Sequence, residues 1–399
     1  MESYSFLLFL AIIMISTKIL GLFTRKIHMP AVVGALVAGV ILGPSCLNLI
    51  TLTGDTGVFL EQMAELGVIL LMFNAGLETD LSELKKNGVA SFVTALIGVI
   101  VPLIGGFLGY AFFFHTDFSD YDEVLKAVFV GVVLTATSVS ITVETLREMG
   151  KLKSKVGTAI LGAAVIDDIL GIVVLTILTA LTDPSVKPIL VLGRIVAFFG
   201  FVLVVGLVMY RVFLKMEEKW HHHRRIAIYA VAFAFLMSYV AERYFGIADI
   251  TGAYFAGLML CTMKVGPYVA RRCEIPSYLI FSPVFFASVG LKVTLGGMDA
   301  SIWIFAIILL VIAILSKVVG CGLGAKICGC TGKEAFQVGI GMISRGEVAL
   351  IVAQKGYASG MLDDVLFAPI VLVVIVTTLI TPILLKLVMK DNDSEKAAA

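Results

Sequence analysis

The 399 residues are 59% hydrophobic and 15% charged, with a mean hydropathy of +1.04 and a formal net charge of +1. Such usage lies far outside that of soluble domains and excludes them, so the chain reads as an all-α polytopic membrane protein with the lipid bilayer as its solvent and no nucleic-acid partner. The six cysteines stand mostly in apolar stretches without the paired spacing of a disulfide framework, and Cys328-Gly-Cys330 has no companion ligands for a metal.

A membrane-crossing helix needs about 20 apolar residues. Breaking the chain at charged and Gly/Pro punctuation places the first near 5–23, where Glu2 and the lack of a basic leader mark a retained span rather than a cleaved signal. Further segments follow near 30–48, 58–79, 88–114, 124–149, 155–181, 188–214, 224–243, 248–264, 276–295, 300–325, 332–356 and 365–389. That makes about thirteen helices. Basic residues occupy every second loop: Arg25/Lys26, Lys85/Lys86, Arg147/Lys151/Lys153, Arg211 to Arg225, Arg271/Arg272, Lys326/Lys333 and Lys386/Lys390. The alternate loops are acidic or nearly uncharged, as in HTDFSDYDE at 115–123. The positive-inside rule then sets the N-terminus outside and the C-terminus in the cytosol. WHHHRR at 220–225, flanked by Lys215 and Lys219, is expected to be a positive-inside anchor rather than a metal or pH-sensing site. The chain closes on the polar tail DNDSEKAAA at 391–399, with no room for a soluble regulatory domain. No GxxxxGK[ST] occurs, so active transport would draw on an ion gradient.

An odd count arranged as six, one, six puts two six-helix halves in opposite orientations, the inverted repeat of secondary transporters. Two polar, Gly- or Ser/Thr-rich interruptions sit at corresponding places in the halves: TATSVS at 135–140 and MISRGEV at 342–348. Each predicts a broken helix, whose exposed N–H and C=O groups are tolerated at depth only where they line an enclosed cavity. Small-residue helix packing is the simpler account of TATSVS alone, but it does not explain the matching break in the other half.

Charges inside such segments cost roughly 2.5 to 3.5 kcal/mol each on insertion scales, and AVIDDILG at 164–171 carries two in succession, Asp167 and Asp168. Adjacent helical residues point about 100° apart, so the two cannot face one partner. Lys317 in AILSKVVG lies too deep to snorkel, and its cheapest place is beside a carboxylate. An ion pair kept for folding specificity would occupy one aspartate and leave the other without a role. Two carboxylates with hydroxyl and carbonyl oxygens nearby instead suit a hard cation, for whose oxygens a proton competes. Arg345 and Glu347 are expected to be structural compensators, neutralising broken-helix ends or one another.

VVGALVAGVILGP (32–44), ELGVILLMFNAGLETDL (65–81), TATSVSITVETLREMG (135–150), AAVIDDILG (163–171), GIADITGAYFAGLML (246–260), SPVFFASVGLKV (282–293) and GMISRGEVALIVA (341–353) fall in this order along nearly the whole chain. Together they resemble the monovalent cation:proton antiporter-2 family. Within it, the double aspartate with a mid-helix lysine is similar to electrogenic bacterial sodium/proton antiporters of the NapA type; electroneutral relatives typically have Asn-Asp there. The resemblance implies an NhaA-like fold working by an elevator motion in a bacterial inner membrane. It makes Asp168 the principal carboxylate for Na+ and H+, Asp167 the one alternating between Lys317 and the ion, and Thr137 and Ser138 further oxygen donors. It also implies a homodimer, with dimerisation helices 1–3 at 1–87 and 8–10 at 224–299. Core helices 4–6 occupy 88–187 and 11–13 occupy 300–390, with linker helix 7 at 188–223. No cofactor and no enzymatic activity are expected. Selectivity among Na+, Li+ and K+ depends on oxygen number and cavity size rather than residue type, so a potassium/proton antiporter or a gated potassium efflux pathway stands as the alternative. An intramembrane aspartyl protease would need its two aspartates on different helices.

Overall fold

A computed structural model of the chain describes residues 4–26, 29–52, 54–79, 81–82, 87–182, 188–219, 224–292, 299–358, 361–362 and 364–389, and every regular element among them is helical. In chain order these are α1 (Ser5–Lys26), α2 (Ala31–Leu42), α3 (Gly54–Glu78), α4 (Gly88–Phe114), α5 (Tyr121–Thr135), α6 (Val139–Glu148), α7 (Lys155–Thr182) and α8 (Pro188–Lys219). Then come α9 (Arg224–Val240), α10 (Asp249–Leu260), α11 (Gly266–Pro276), α12 (Ser282–Leu291), α13 (Ala300–Ile327), α14 (Gly332–Gly341), α15 (Glu347–Ala358) and α16 (Asp364–Val388). Trp220 to His223 of the basic cluster, Lys85 and Lys86, the side chain of Glu347 and the tail 391–399 lie outside the described residues.

Counting α5 with α6 and α11 with α12 as single rods, ten helices among the described residues are long and apolar enough to cross a membrane. The other expected segments, 30–48, 248–264 and 332–356, hold shorter pieces: α2 and α10 of 12 residues each, and the interrupted pair α14–α15. Twelve residues rise only about 18 Å against a hydrocarbon core of about 30 Å. Gly43-Pro44 stops α2 early, because proline disfavours the helical conformation of the residue before it.

One expected boundary is corrected. The segment placed near 276–295 begins ten residues earlier, and Arg271 and Arg272, assigned to a loop, are exposed helical residues of α11. Pro276 was expected to open the helix. It lies inside the rod instead, where the π-helical turn at Ser277–Phe281 widens the backbone and lets the helix continue past the missing donor.

Without water between helices, packing relies on close backbone approach at small residues. A Cβ on Gly39 of α2 would stand 2.0 Å from Ala287 O of α12, and one on Gly290 of α12 would stand 2.3 Å from Leu36 O of α2. α3 and α10 cross in the same reciprocal way, Gly76 against Tyr254 O and Gly257 against Phe73 O, both at 2.2 Å. α13 lies along α4, where Gly324 brings the chain against the Thr94 backbone. α8 presents Ile189, Val196, Leu203 and Leu207 outward, as a lipid-facing helix does.

The buried apolar side chains form two clusters. One fills the space between α4, α5, α13, α15 and α16 around Phe129, Phe305, Leu309 and Val374; the larger runs through α2, α3, α9, α10 and α12 and into α6, α7 and α14. The boundary between them crosses five segments: α5–α6, α14–α15, α13, α7 and α16, the last between Val374 and Leu385. Ala136 belongs to one cluster and Val139 to the other, Ala349 to one and Ile343 to the other, and Ala313 to one and Cys321 to the other. On α7, Ile169 and Leu178 are divided likewise. The residues in that layer are the polar ones.

Candidate functional site at the helix crossing

Helix α5 stops at Thr135 and resumes as α6 at Val139; α14 stops at Gly341 and α15 begins at Glu347. The hydroxyls of Thr135, Thr137, Ser138 and Ser140 offer the backbone local alternatives to helical hydrogen bonds, which weakens the helix there. The two breaks meet. Ser138 N donates to Ser344 O at 2.7 Å, and a Cβ on Gly346 would lie 2.5 Å from Ser138 Oγ. Only a residue without a side chain permits that contact.

Buried helix ends must find partners for their last carbonyls. Arg345, fully buried, serves those of the breaks and reaches a neighbouring helix: Nη2 donates to Leu134 O at 2.8 Å and to Ala313 O within α13 at 2.9 Å, Nη1 to Ile343 O at 3.0 Å and Nε to Leu134 O at 3.3 Å. Thr135 Oγ1 donates to Val132 O at 2.7 Å, and Thr142 Oγ1 on α6 donates to Gly341 O at 2.8 Å. Thr378 of α16 donates to Arg345 O. A guanidinium suits this place because its planar fork serves several carbonyls at once while its charge opposes the negative end of the α5 dipole.

Beside the crossing, Lys317 Nζ of α13 lies 2.9 Å from Asp167 Oδ1 of α7, with both side chains essentially without solvent exposure (0% and 1%). Asp168, 6% exposed, projects from the next position of α7. Thr137 lies beside Asp167, its Oγ1 outside conventional hydrogen-bond geometry with any described partner. Asp167 Oδ2 and Ser344 Oγ also have no hydrogen-bond partner among the described residues. These buried oxygens, with the paired carboxylates, are the donor set a hard monovalent cation takes. Ser138 Oγ is instead engaged with Ser140 Oγ at 3.2 Å. The structure thus gathers Asp167, Asp168, Lys317, Thr137, Ser138 and Arg345 into one layer. It adds Ser344, Thr142 and Thr378, which sequence reasoning missed. Ser344 stood within the quoted interruption, but nothing in one sequence tells a lining hydroxyl from a helix breaker. Among the described residues no group of three or more His, Cys, Asp or Glu could hold a metal ion.

Crossing-length apolar helices around a buried layer of charges and broken helix ends define a membrane ion transporter. The chain belongs to the sodium/hydrogen exchanger family of monovalent cation:proton antiporters, whose transmembrane model it matches over residues 9–391; it is an integral membrane antiporter and not an enzyme. It is 38% identical over 397 residues to the Na(+)/H(+)-K(+) antiporter GerN of Bacillus cereus, covering 99% of each chain. It is also 38% identical over 384 residues to a Na(+)/H(+) antiporter of Enterococcus hirae, covering 94% of this chain and 96% of that one. The fold is similar to that of the sodium proton antiporter MjNhaP1 from Methanocaldococcus jannaschii, with a TM-score of 0.74 at 18% identity over 97% and 96% of the two chains.

Proposed function

We propose that the protein is an electrogenic sodium/proton antiporter in which Na+ and H+ compete for Asp167 and Asp168. The observation that carries the proposal is the buried Asp167–Lys317 pair immediately beside a second aspartate and the oxygens of two crossing breaks. In the cation-free state Lys317 neutralises Asp167, while Asp168 holds a proton. An arriving Na+ displaces that proton and draws Asp167 away from Lys317, so that a second proton leaves from the lysine side. Two protons for each sodium move one net charge, and 100 mV of membrane potential then contributes about 2.3 kcal/mol to each cycle.

The grouping of the helices supports an elevator reading. α4 to α7 and α13 to α16 carry the crossing, and α1 to α3 with α9 to α12 interlock through the reciprocal glycine contacts. We assign the first group to a mobile core and the second to a homodimeric scaffold, joined by α8. Thirteen spans arranged as inverted repeats relate the second helix to the ninth and the third to the tenth. The glycine crossings obey that exchange: second span with tenth (α2 with α12), ninth with third (α10 with α3). Arg25, Lys386 and Glu148 share one end of the bundle, as do Lys151, Lys155 and Lys333, and we assign that end to the cytosol and the N-terminus to the outside of a bacterial plasma membrane. Asp168→Asn in proteoliposomes with an imposed pH gradient tests the site. An amide neither titrates nor offers a formal charge, so exchange is abolished; retained sodium-driven proton flux refutes the assignment.

The name of the Bacillus cereus relative favours a second reading in which K+ is also carried. The same vesicles loaded with Na+, Li+ or K+ separate the two, and potassium flux uncoupled from pH would identify an efflux pathway instead.

A further inference from the structure

Two polar contacts join the groups assigned above to core and scaffold at one end of the bundle, and the exchange site uses neither. Glu148, the last residue of α6, accepts through Oε2 from Ala31 N, the first amide of α2, at 2.7 Å. The carboxylate also lies beside Val32 N and within electrostatic reach of Arg25 on α1 and Lys386 on α16. One residue earlier, Arg147 Nε stands 3.7 Å from Oε2 of Glu78, the last residue of α3, while its Nη1 donates to Glu144 on its own helix at 3.3 Å.

The first N–H groups of a helix have no partner within it. Pro30, at the N-cap of α2, brings no side-chain oxygen to them, and Glu148 supplies one from another helix. For α6 itself that carboxylate is badly placed, because it stands at the negative end of the helix dipole. Facing the start of α2 it meets the positive end of another. Its favourable partner therefore lies across the boundary between the two groups and not within its own. Backbone contact at Gly39 and Gly76 ties α2 and α3 to α12 and α10, so a moving core must leave them behind. Glu148 is exposed, and water can receive both the carboxylate and the freed amide when the contact opens.

We propose that Glu148 capping α2, with Arg147 beside Glu78 as a weaker second arm, is a reversible clasp that stabilises this conformation against the alternative one and opens in every transport cycle. The inference rests on the reading of a core that moves against a scaffold. Exchange is measured with Na+ as the probe in everted and in right-side-out membrane vesicles, which present opposite faces. A state that binds at one face only has an apparent KM inversely proportional to its population, so the ratio of the two KM values follows the equilibrium between the states. Glu148→Ala should shift that ratio about fivefold, as loss of a helix cap does. Glu148→Gln keeps an acceptor but loses the charge, and Glu78→Gln removes only the longer contact; both should shift the ratio less and in the same direction. A merely structural role would lower the maximal rate and leave the ratio where it was. The moving core is tested separately by joining Glu78→Cys to Arg147→Cys with a short bismaleimide, which should stop exchange relative to reagent-treated unmodified protein. Exchange that persists across the link overturns the moving core. Exchange stopped by the link, with a ratio that Glu148→Ala does not move, overturns the clasp alone.

Discussion

Removing the Lys317 ammonium tests the electrostatics of the crossing most directly. At 2.9 Å the pair attracts by about 6 kcal/mol at an effective dielectric constant of 20. Part of that gain only offsets what it costs to bury the two ions, so the pair itself contributes little against an apolar substitute. Lys317→Ala is different, because it leaves the Asp167 carboxylate buried with no cation and should cost about 3 to 5 kcal/mol. That is a shift of roughly 160-fold to 4700-fold in the unfolding equilibrium. Asp167→Asn combined with Lys317→Ala removes the stranded charge and should recover most of the loss, giving a coupling energy of opposite sign to the single effects. Titrating detergent-solubilised protein with sodium dodecyl sulfate and following loss of helix packing measures all three variants. A double variant no more stable than Lys317→Ala alone, or a single variant within 1 kcal/mol of the unmodified protein, would show that no dry ion pair exists at this position.

Three further outcomes are expected. Asp167→Asn should diminish the transient currents on solid-supported membranes and the acceleration of sodium export by an inside-negative potential; exchange without any current in the unmodified protein would make the cycle electroneutral. Arg345→Lys keeps the charge but loses the fork that serves Leu134, Ala313 and Ile343 carbonyls, and chemical denaturation should show a loss of about 1 to 3 kcal/mol. Gly346→Ala forces a methyl into Ser138, at 2.5 Å from Oγ and 2.8 Å from Cβ, so the breaks must separate at a cost of about 1 to 3 kcal/mol. Its signature is reduced stability with impaired exchange, whereas an alanine variant with unaltered transport would mean that the breaks do not touch.

Much of this protein is determined by local composition. Hydropathy alone sets an all-helical membrane architecture, since no other regular structure satisfies its own backbone in lipid apart from a closed barrel. The interruptions at 135–140 and 342–348 are legible because hydroxyl and glycine runs lower helix propensity locally, and both fall where the backbone does break. A pair of aspartates and a lysine deep in apolar segments announces a site because the bilayer penalises such groups wherever they stand. What composition cannot encode is which distant segments share a height. Asp167 and Lys317 are 150 residues apart, and Ser138 N and Ser344 O more than 200; each contact exists only because α4 packs against α5, α7 and α13, and α13 against α14, which brings the paired charges and the two breaks together. Arg345 shows the limit most clearly. The sequence offered it broken-helix ends or Glu347 as partners without deciding between them; the guanidinium goes to Leu134 O near the end of α5 and to Ala313 O on α13, a helix whose place beside the break no local sequence reveals. The extension of the α11 rod back to Gly266, past Pro276, was likewise hidden. A proline need not halt a helix, and here the rod carries on from Pro276 through a π-helical turn at Ser277–Phe281 into α12.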